Sequence, residues 1–449
     1  MDTLLLRKYD VPVPRYTSYP TVPYWDSTPG EVAWKNKVKA SFDQDDGISL
    51  YIHLPYCEKL CTYCGCNKHI TKNHQVEAPY IDTLIQEWSM YLALFDQPPT
   101  LKELHLGGGT PTFFSPEELE RLITSITRQA VVPDDASFSF EAHPSSTTFE
   151  HLETLYRIGF RRISIGVQDF SPIILEIINR QQTEEQVEMV TQQARALGYD
   201  SINFDLIFGL PLQDKSAIRS TIKKVERMRP DRIAFYSYAH VPWIKPSQRA
   251  YSEKDLPLGE EKRALYELGR QLLEEAGYAE IGMDHFALPE DDLYQSYQAG
   301  TLHRNFMGYT PHTTRLSIGL GASAISDSWD GFVQNEKKIA DYKARVERGE
   351  FPFFRGHSLT TEDENIRQHI LNLMCRHETD WAHPSQQSNA LFAGIERMEE
   401  LEKDGLISLA PNRLKVTQKG LPFIRNICQP LDARYWDKRP EGALFSQAV

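Results

Sequence analysis

Residues 49–66 read SLYIHLPYCEKLCTYCGC. An apolar, β-prone run, Ser49 to Leu54, ends at Pro55, and Cys57, Cys61, Cys64 and Cys66 follow within ten residues. Four of the six cysteines of the chain therefore sit on one short loop at the end of a strand. Three thiolates at C-x3-C-x2-C spacing can hold three irons of a four-iron cluster and leave the fourth iron open to a small molecule. A structural zinc site with Cys66 as fourth ligand is the competing reading, and a disulfide framework a weaker one. Zinc sites usually join two short clips that lie apart in sequence, whereas Cys375 and Cys428 lie far downstream and alone. The spacing favours an iron–sulfur cluster.

Outward from this loop the chain alternates β-like and helix-like segments, the pattern of parallel strands with helical crossovers. Strands are predicted over 48–54, 102–106, 137–142, 161–167, 201–207 and 232–238, with helices near 77–96, 115–129, 148–159, 183–197, 214–229 and 259–276. Ser115-Pro116-Glu117-Glu118 combines an N-cap, a first-turn proline and a capping-box glutamate, and Thr183 to Gln186 repeats the box. Six βα units make an open doubly wound sheet or a complete or partial barrel, and spacing alone does not choose. In both, ligands gather at the C-terminal ends of the strands. The distinctive residues fall there: the Cys loop, Gly107-Gly108-Gly109-Thr110, Glu141, Gln168, Asp205 and Tyr238-Ala239-His240.

At 449 residues and 51.6 kDa, with 41% apolar residues, the chain has room for a large domain and a smaller one. The expected order is an N-terminal arm over 1–46, the βα domain and its Gly-rich extension over 47–352, and a mostly helical domain over 353–449. The arm contains PRYTSYPT and is expected to pack across the domain. In the last segment Thr361 is read as capping a helix with Glu364 at the box position. A helix near 392–404 and two β-like pieces, 406–410 and 413–417, complete a winged-helix-like pattern. A net charge of -13 disfavours a broad phosphate-binding surface, so no nucleic-acid partner is expected. The first eight residues carry too short an apolar run for a signal peptide, and no run of eighteen apolar residues follows. A cytoplasmic protein without a membrane partner is expected.

The C-x3-C-x2-C spacing with Tyr63 before the third cysteine, the GGGT turn and a strand-end glutamate resemble the pattern of radical S-adenosylmethionine enzymes. More narrowly, PRYTSYPT, YIHLPYCEKLCTYCGCNK, HLGGGTPT, IGVQDF, NFDLIFGLP, YSYAHVP, MDHFAL, LHRNFMGYT and GLGASAIS resemble the oxygen-independent coproporphyrinogen III oxidase family along nearly the whole chain. The resemblance implies a partial (βα)6 TIM-like radical SAM barrel of the α/β class. In it Cys57, Cys61 and Cys64 bind a 4Fe-4S cluster and Cys66 is not a ligand. Two molecules of S-adenosyl-L-methionine are implied. Tyr51, Gly108, Glu141 and Ile325 would contact the first, and Tyr63, Gly109, Thr110, Gln168, Arg180, Asp205 and Ala239 the second. Asp205 and Glu141 suit hydroxyls or an ammonium, and Arg180 suits a carboxylate through its fork.

The implied reaction is the oxidative decarboxylation of two propionates of coproporphyrinogen III to vinyl groups through a 5'-deoxyadenosyl radical. A one-electron donor such as flavodoxin or ferredoxin and a monomeric state are expected. Arg304 and Arg15 are the candidates for substrate carboxylates, from their settings in HRNF and PRYT. Two departures stand out. Glu141-Ala142-His143-Pro144 has histidine where the family commonly has an acid, and residues 311–315 replace the usual Thr-Gln-Gly text. A haem chaperone of the related branch and a radical RNA-modifying enzyme are the alternatives. The arm and Cys66 speak against the first, and net charge against the second.

Overall fold

The structure, a computed structural model, describes residues 3–44, 47–440, 442 and 444–447. The outermost ends of the expected arm and tail, and residues 45 and 46, lie outside the described residues. The chain divides into two compact units, each discontinuous in sequence: one holds 27–256 and 314–358, the other 1–26, 257–313 and 359–449.

In the first unit the predicted strands form as β1 (Ile48–Leu54), β2 (Leu101–Gly108), β3 (Ser137–Ala142), β4 (Arg162–Gln168), β5 (Ser201–Phe208) and β6 (Arg232–Ser237). They lie side by side in chain order, every neighbouring pair parallel. A doubly wound sheet reverses its order at a switch point, and this succession has none, so the partial barrel is the form adopted. The Gly-rich text supplies β7 (Leu316–Leu320), parallel to β1 on its free side, and β8 (Ile325–Asp327), β9 (Gly331–Asn335) and β10 (Phe353–Ser358) continue outward antiparallel.

The crossovers are α1 (Glu77–Leu92), α2 (Pro116–Thr127), α3 (Phe149–Arg157), α4 (Glu184–Leu197) and α5 (Lys215–Met228). Leu119, Leu122, Ile123 and Ile126 form the buried stripe of α2, and Ile218, Ile222 and Val225 that of α5. One strand face, with Leu50, Ile52, Leu104, Leu106, Phe138, Phe140, Ile163, Ile165, Ile202 and Phe204, is buried, each side chain worth about 1.5–3 kcal/mol of burial. The alternate positions are polar: Ser49, Tyr51 and His53 on β1, Glu103 and His105 on β2, Ser139 and Glu141 on β3, Ser164 on β4, Asn203 and Asp205 on β5. Register keeps these on one face, with Tyr51 opposite His105, His105 opposite Ser139, Glu141 opposite Ser164 and Gly166 opposite Asp205.

The capping boxes sort themselves. Thr183 and Gln186 form one as expected. Ser115 caps α2 by accepting from the Glu118 amide, but its own amide donates to the buried Glu77, and Glu118 turns to Arg121.

The second unit contains α6 (Gly259–Glu275) and α7 (Thr361–Arg376). Thr360 and Asp363, not Thr361 and Glu364, form the cap and box of α7; the register moves by one because Asp363 is buried and also receives Arg434. The two β-like pieces pair as Ile407–Ala410 and Arg413–Val416, and Glu378–Asp380 adds a third strand. The expected helix over 392–404 is two short ones, Asn389–Glu396 and Glu399–Lys403. The arm divides: Tyr16 and Tyr19 are buried in the core of this unit beside Ile366, Ile370 and Leu373, whereas the helix Glu31–Phe42 belongs to the barrel unit. Two apolar anchors in separate stretches, Tyr16/Tyr19 and Trp34/Val38, are each too large to leave in water.

Candidate functional site

The Cys loop leaves β1 at Leu54 and is pinned on both flanks. The Gly109 amide donates to the Leu54 carbonyl at 2.8 Å and the Thr110 amide to the Tyr56 carbonyl at 2.9 Å. On the return, the His69 amide donates to the Pro55 carbonyl and the Thr71 amide to Cys57. The Thr62 amide donates to Ile178, and Asn179 Nδ2 donates to the Leu60 carbonyl at 2.7 Å, tying the middle of the loop to the end of the short helix Pro172–Ile177. Gly109 is required here, since a Cβ would lie 2.7 Å from the Pro55 backbone and the Tyr56 carbonyl. Gly108 has φ +120°, which disfavours a side chain.

All the loop cysteines are free thiols; Cys57 is buried, Cys61 and Cys64 are half-buried, and Cys66 is exposed. Thr110 Oγ1 donates to Cys57 Sγ at 3.4 Å, and Arg180 Nη1 to Cys61 Sγ at 3.7 Å. Lys68 Nζ donates to the Cys64 carbonyl at 3.0 Å. Burial pushes the Cys57 thiol up to about 11, whereas the neighbouring Cys66 thiol and Lys68 hold Cys64 well below the usual thiol range. Free thiols carrying hydroxyl and guanidinium donors on one pinned loop are the donor set that a thiolate-bound cluster requires, so the residues fit that group.

Beside the loop, Glu141 at the end of β3 accepts from the Gly108 amide at 3.1 Å and faces His105 Nε2 at 3.7 Å. Burial raises its pKa, but His105, the Gly108 amide and His53 outweigh burial and leave the carboxyl below the usual range. Tyr51 stacks on His105 and meets His53 Nδ1 at 3.0 Å, while His53 Nε2 reaches the Asn67 carbonyl at 2.8 Å. Asp205 accepts from Ser164 at 3.0 Å and Asn203 at 2.8 Å; burial and the Glu141 charge push it up to about 6. Gln168 closes β4 with φ +67°. Ala239 is held through Gln248, whose Nε2 donates to both the Ala239 and Tyr63 carbonyls. Ile325 begins β8, its backbone against Gly319.

Arg180 differs from the expected open fork. Its Nε donates to Gln182, Nη1 to Tyr63 and Cys61, and Nη2 to the Gly166 carbonyl. It organises the loop and Tyr63 rather than presenting two free donors. His143 supplies the acceptor of its own turn: Nδ1 accepts from the Ser145 amide at 3.2 Å, which puts the ring proton on Nε2. Burial, then Arg180 and Lys59, hold His143 down to about 2, so this side chain is a neutral ring.

Arg15 and Arg304 lie in the other unit. Arg15 pairs with Asp284 at 3.0 Å. Arg304 is buried with its guanidinium 4.5 Å from the centre of the Tyr309 ring, and its Nε and Nη1 have no hydrogen-bond partner among the described residues. Sequence reasoning missed Ser164, Asn203, Gln182 and Gln248, which hold the named residues in place. The period-two polar alternation within otherwise apolar strands was the available signal for Ser164 and Asn203.

Residues 51–225 match the radical SAM superfamily model. The oxygen-independent coproporphyrinogen III oxidase of Salmonella typhimurium is 36% identical over 453 residues, covering 100% of this chain and 98% of that protein. The anaerobic coproporphyrinogen III oxidase 1 of Cereibacter sphaeroides is 38% identical over 446 residues, covering 98% and 97%. The chain belongs to the oxygen-independent coproporphyrinogen III oxidase family. The structure of the Escherichia coli coproporphyrinogen III oxidase, a radical SAM enzyme, superposes with a TM-score of 0.90 at 36% identity over 96% of this chain and 98% of that one. Membership of this family implies a 4Fe-4S cluster and S-adenosylmethionine. No helix among the described residues is long and apolar enough to cross a membrane.

Proposed function

We propose that this chain is the oxidoreductase that converts two propionate side chains of coproporphyrinogen III to vinyl groups without oxygen, giving protoporphyrinogen IX in haem biosynthesis. The observation that carries the reading is the joint occurrence of the pinned three-thiol loop and full-length similarity to enzymes of that name. Cys57, Cys61 and Cys64 hold the 4Fe-4S cluster, and Cys66 is spared. When bound, the cluster would supply the electron that cleaves S-adenosylmethionine to methionine and a 5'-deoxyadenosyl radical; hydrogen transfer from the propionate to that radical, departure of carbon dioxide and passage of one electron from the substrate to an acceptor would complete each vinyl group.

The protein's own residues do the positioning. Thr110 and Arg180 donate to two of the thiolate sulfurs, which stabilises sulfur in its anionic form. Glu141, kept ionised, accepts from an ammonium or hydroxyl of a first S-adenosylmethionine, with Tyr51, Gly108 and Ile325 around it. Gly109, Thr110, Gln168, Asp205, Ala239 and Tyr63 hold a second molecule, and Arg180, its donors already engaged, acts by fixing Tyr63 and Cys61. Arg304, buried with two unmatched donors, gains from a substrate carboxylate what burial costs it. Arg15 is the weaker candidate, because Asp284 already takes its charge. The electron comes from a small donor protein of the flavodoxin or ferredoxin kind, and the enzyme works as a cytoplasmic monomer.

Anaerobic turnover of coproporphyrinogen III, with identification of porphyrinogen and carbon dioxide, tests the reaction. Arg304→Ala is expected to weaken substrate binding while leaving iron content unchanged; unchanged affinity removes Arg304 from the site.

A further inference from the structure

An open groove of about 800 Å³ lies within the barrel unit against the two flanks of the Cys loop, Pro55-Tyr56 and Asn67 to His69. Four lysines line it, Lys68, Lys337, Lys338 and Lys343, and no Asp or Glu does. None of the four makes an ion pair among the described residues. Glu336, the acid nearest in sequence, is taken by Arg345 at 3.3 Å. In a chain of net charge -13 a groove lining with four lysines outside any ion pair and no acid runs against the composition.

Two further features set this groove apart from an ordinary solvated face. Lys337 and Lys338 immediately precede the helix Ile339–Glu347, with Lys338 at its N-cap and no side-chain capping bond. The N-terminal end of a helix is its positive end, so cations there oppose helix stability; the exposed Asp341 in the first turn offsets one charge, and the helix end with the four lysines still leaves the groove net positive. The groove is also built directly onto the thiol loop. Lys68 Nζ donates to the Cys64 carbonyl at 3.0 Å, and Asn67 Nδ2 donates to the Lys337 carbonyl at 3.0 Å.

We propose that this lysine groove is the docking surface for a small acidic protein that delivers one electron to the site. The inference rests on the proposed function, since it presumes a cluster on the loop behind the groove. The transfer itself forms and breaks no bond: the donor is oxidised by one electron and the cluster is reduced by one. Weak electron-transfer encounters use small, charge-complementary surfaces and depend on salt, which this groove fits.

The test uses the full chain with its cluster, and an acidic flavodoxin as probe. Calorimetry at low ionic strength is expected to give a dissociation constant about tenfold or more higher for the K337E/K338E/K343E variant than for the unmodified chain. Added salt is expected to weaken the unmodified complex in the same direction. Cluster reduction by flavodoxin hydroquinone falls in parallel, while 5'-deoxyadenosine formation driven by uncharged photoreduced deazaflavin stays unchanged. Should the triple reversal lose its cluster, the single Lys343→Gln variant serves, with a loss of about two- to fivefold expected in affinity. Affinity and reduction rate within about twofold of the unmodified chain for the triple variant, or salt-independent binding, overturn the proposal. So does a groove that binds inorganic phosphate while flavodoxin affinity ignores the lysines. Failure of the unmodified, deazaflavin-driven enzyme to make vinyl product would instead sink the proposed reaction and leave the docking result intact.

Discussion

Cys66 sits two residues from Cys64 on the same loop, yet the proposed ligands are the first three cysteines alone. Cys57→Ser, Cys61→Ser and Cys64→Ser are each expected to abolish cluster assembly, and Cys66→Ser to retain iron, as read by iron and sulfide analysis. Equal loss in all four would reassign the ligands. Asp205 offers a pH signature. Its pKa is raised to about 6 by burial and by Glu141, so the folded protein keeps a proton that the unfolded chain has released above about 4. Its contribution to stability therefore falls as pH rises through that window, while its attraction for a cationic ligand grows. S-adenosylmethionine affinity is expected to rise as pH climbs through about 6 and to lose that dependence in Asp205→Asn. The identities of these residues were readable from motif and strand end. The partner Asn203 lies two residues before Asp205 on the same strand, but Ser164 meets Asp205 only through cross-strand register and Arg180 meets Cys61 only through folding, which a linear reading does not reveal.

All six barrel strands lie within two residues of their predicted ends, because each is an apolar run closed by Gly, Pro or a polar turn. The barrel-versus-sheet choice was not legible, since it depends on strand order and no local signal encodes order. The cap of α7 was misread by one residue because Thr360 and Thr361 are both good caps, and burial of Asp363 with Arg434 decides between them. Thr360→Ala is expected to destabilise its unit by about 0.5–2 kcal/mol, seen as a lowered thermal midpoint. A matched glycine pair tests the loop. The Cβ of Gly109→Ala would press on the Pro55 and Tyr56 backbone, whereas that of Gly65→Ala meets nothing within 4 Å. Gly109→Ala should lose iron occupancy and Gly65→Ala should keep it.

At the scale of the whole molecule, the chain is assembled from discontinuous pieces that a linear reading divides into consecutive segments. The arm shows why: Tyr16 and Tyr19 enter one core and Trp34 enters another, and sequence does not say which core an anchor joins. What the sequence did carry at this scale is the collection of thiols, glycines and carboxylates at the C-terminal ends of successive parallel strands, which predicts one reactive centre. The most direct measurement is anaerobic turnover by the reconstituted enzyme with S-adenosylmethionine, an electron source and coproporphyrinogen III. The account predicts a spectroscopic change of the reduced iron–sulfur centre on adding S-adenosylmethionine, followed by protoporphyrinogen IX and carbon dioxide. Protein that holds only zinc, or a reduced centre that is blind to S-adenosylmethionine and leaves every propionate in place, would contradict it.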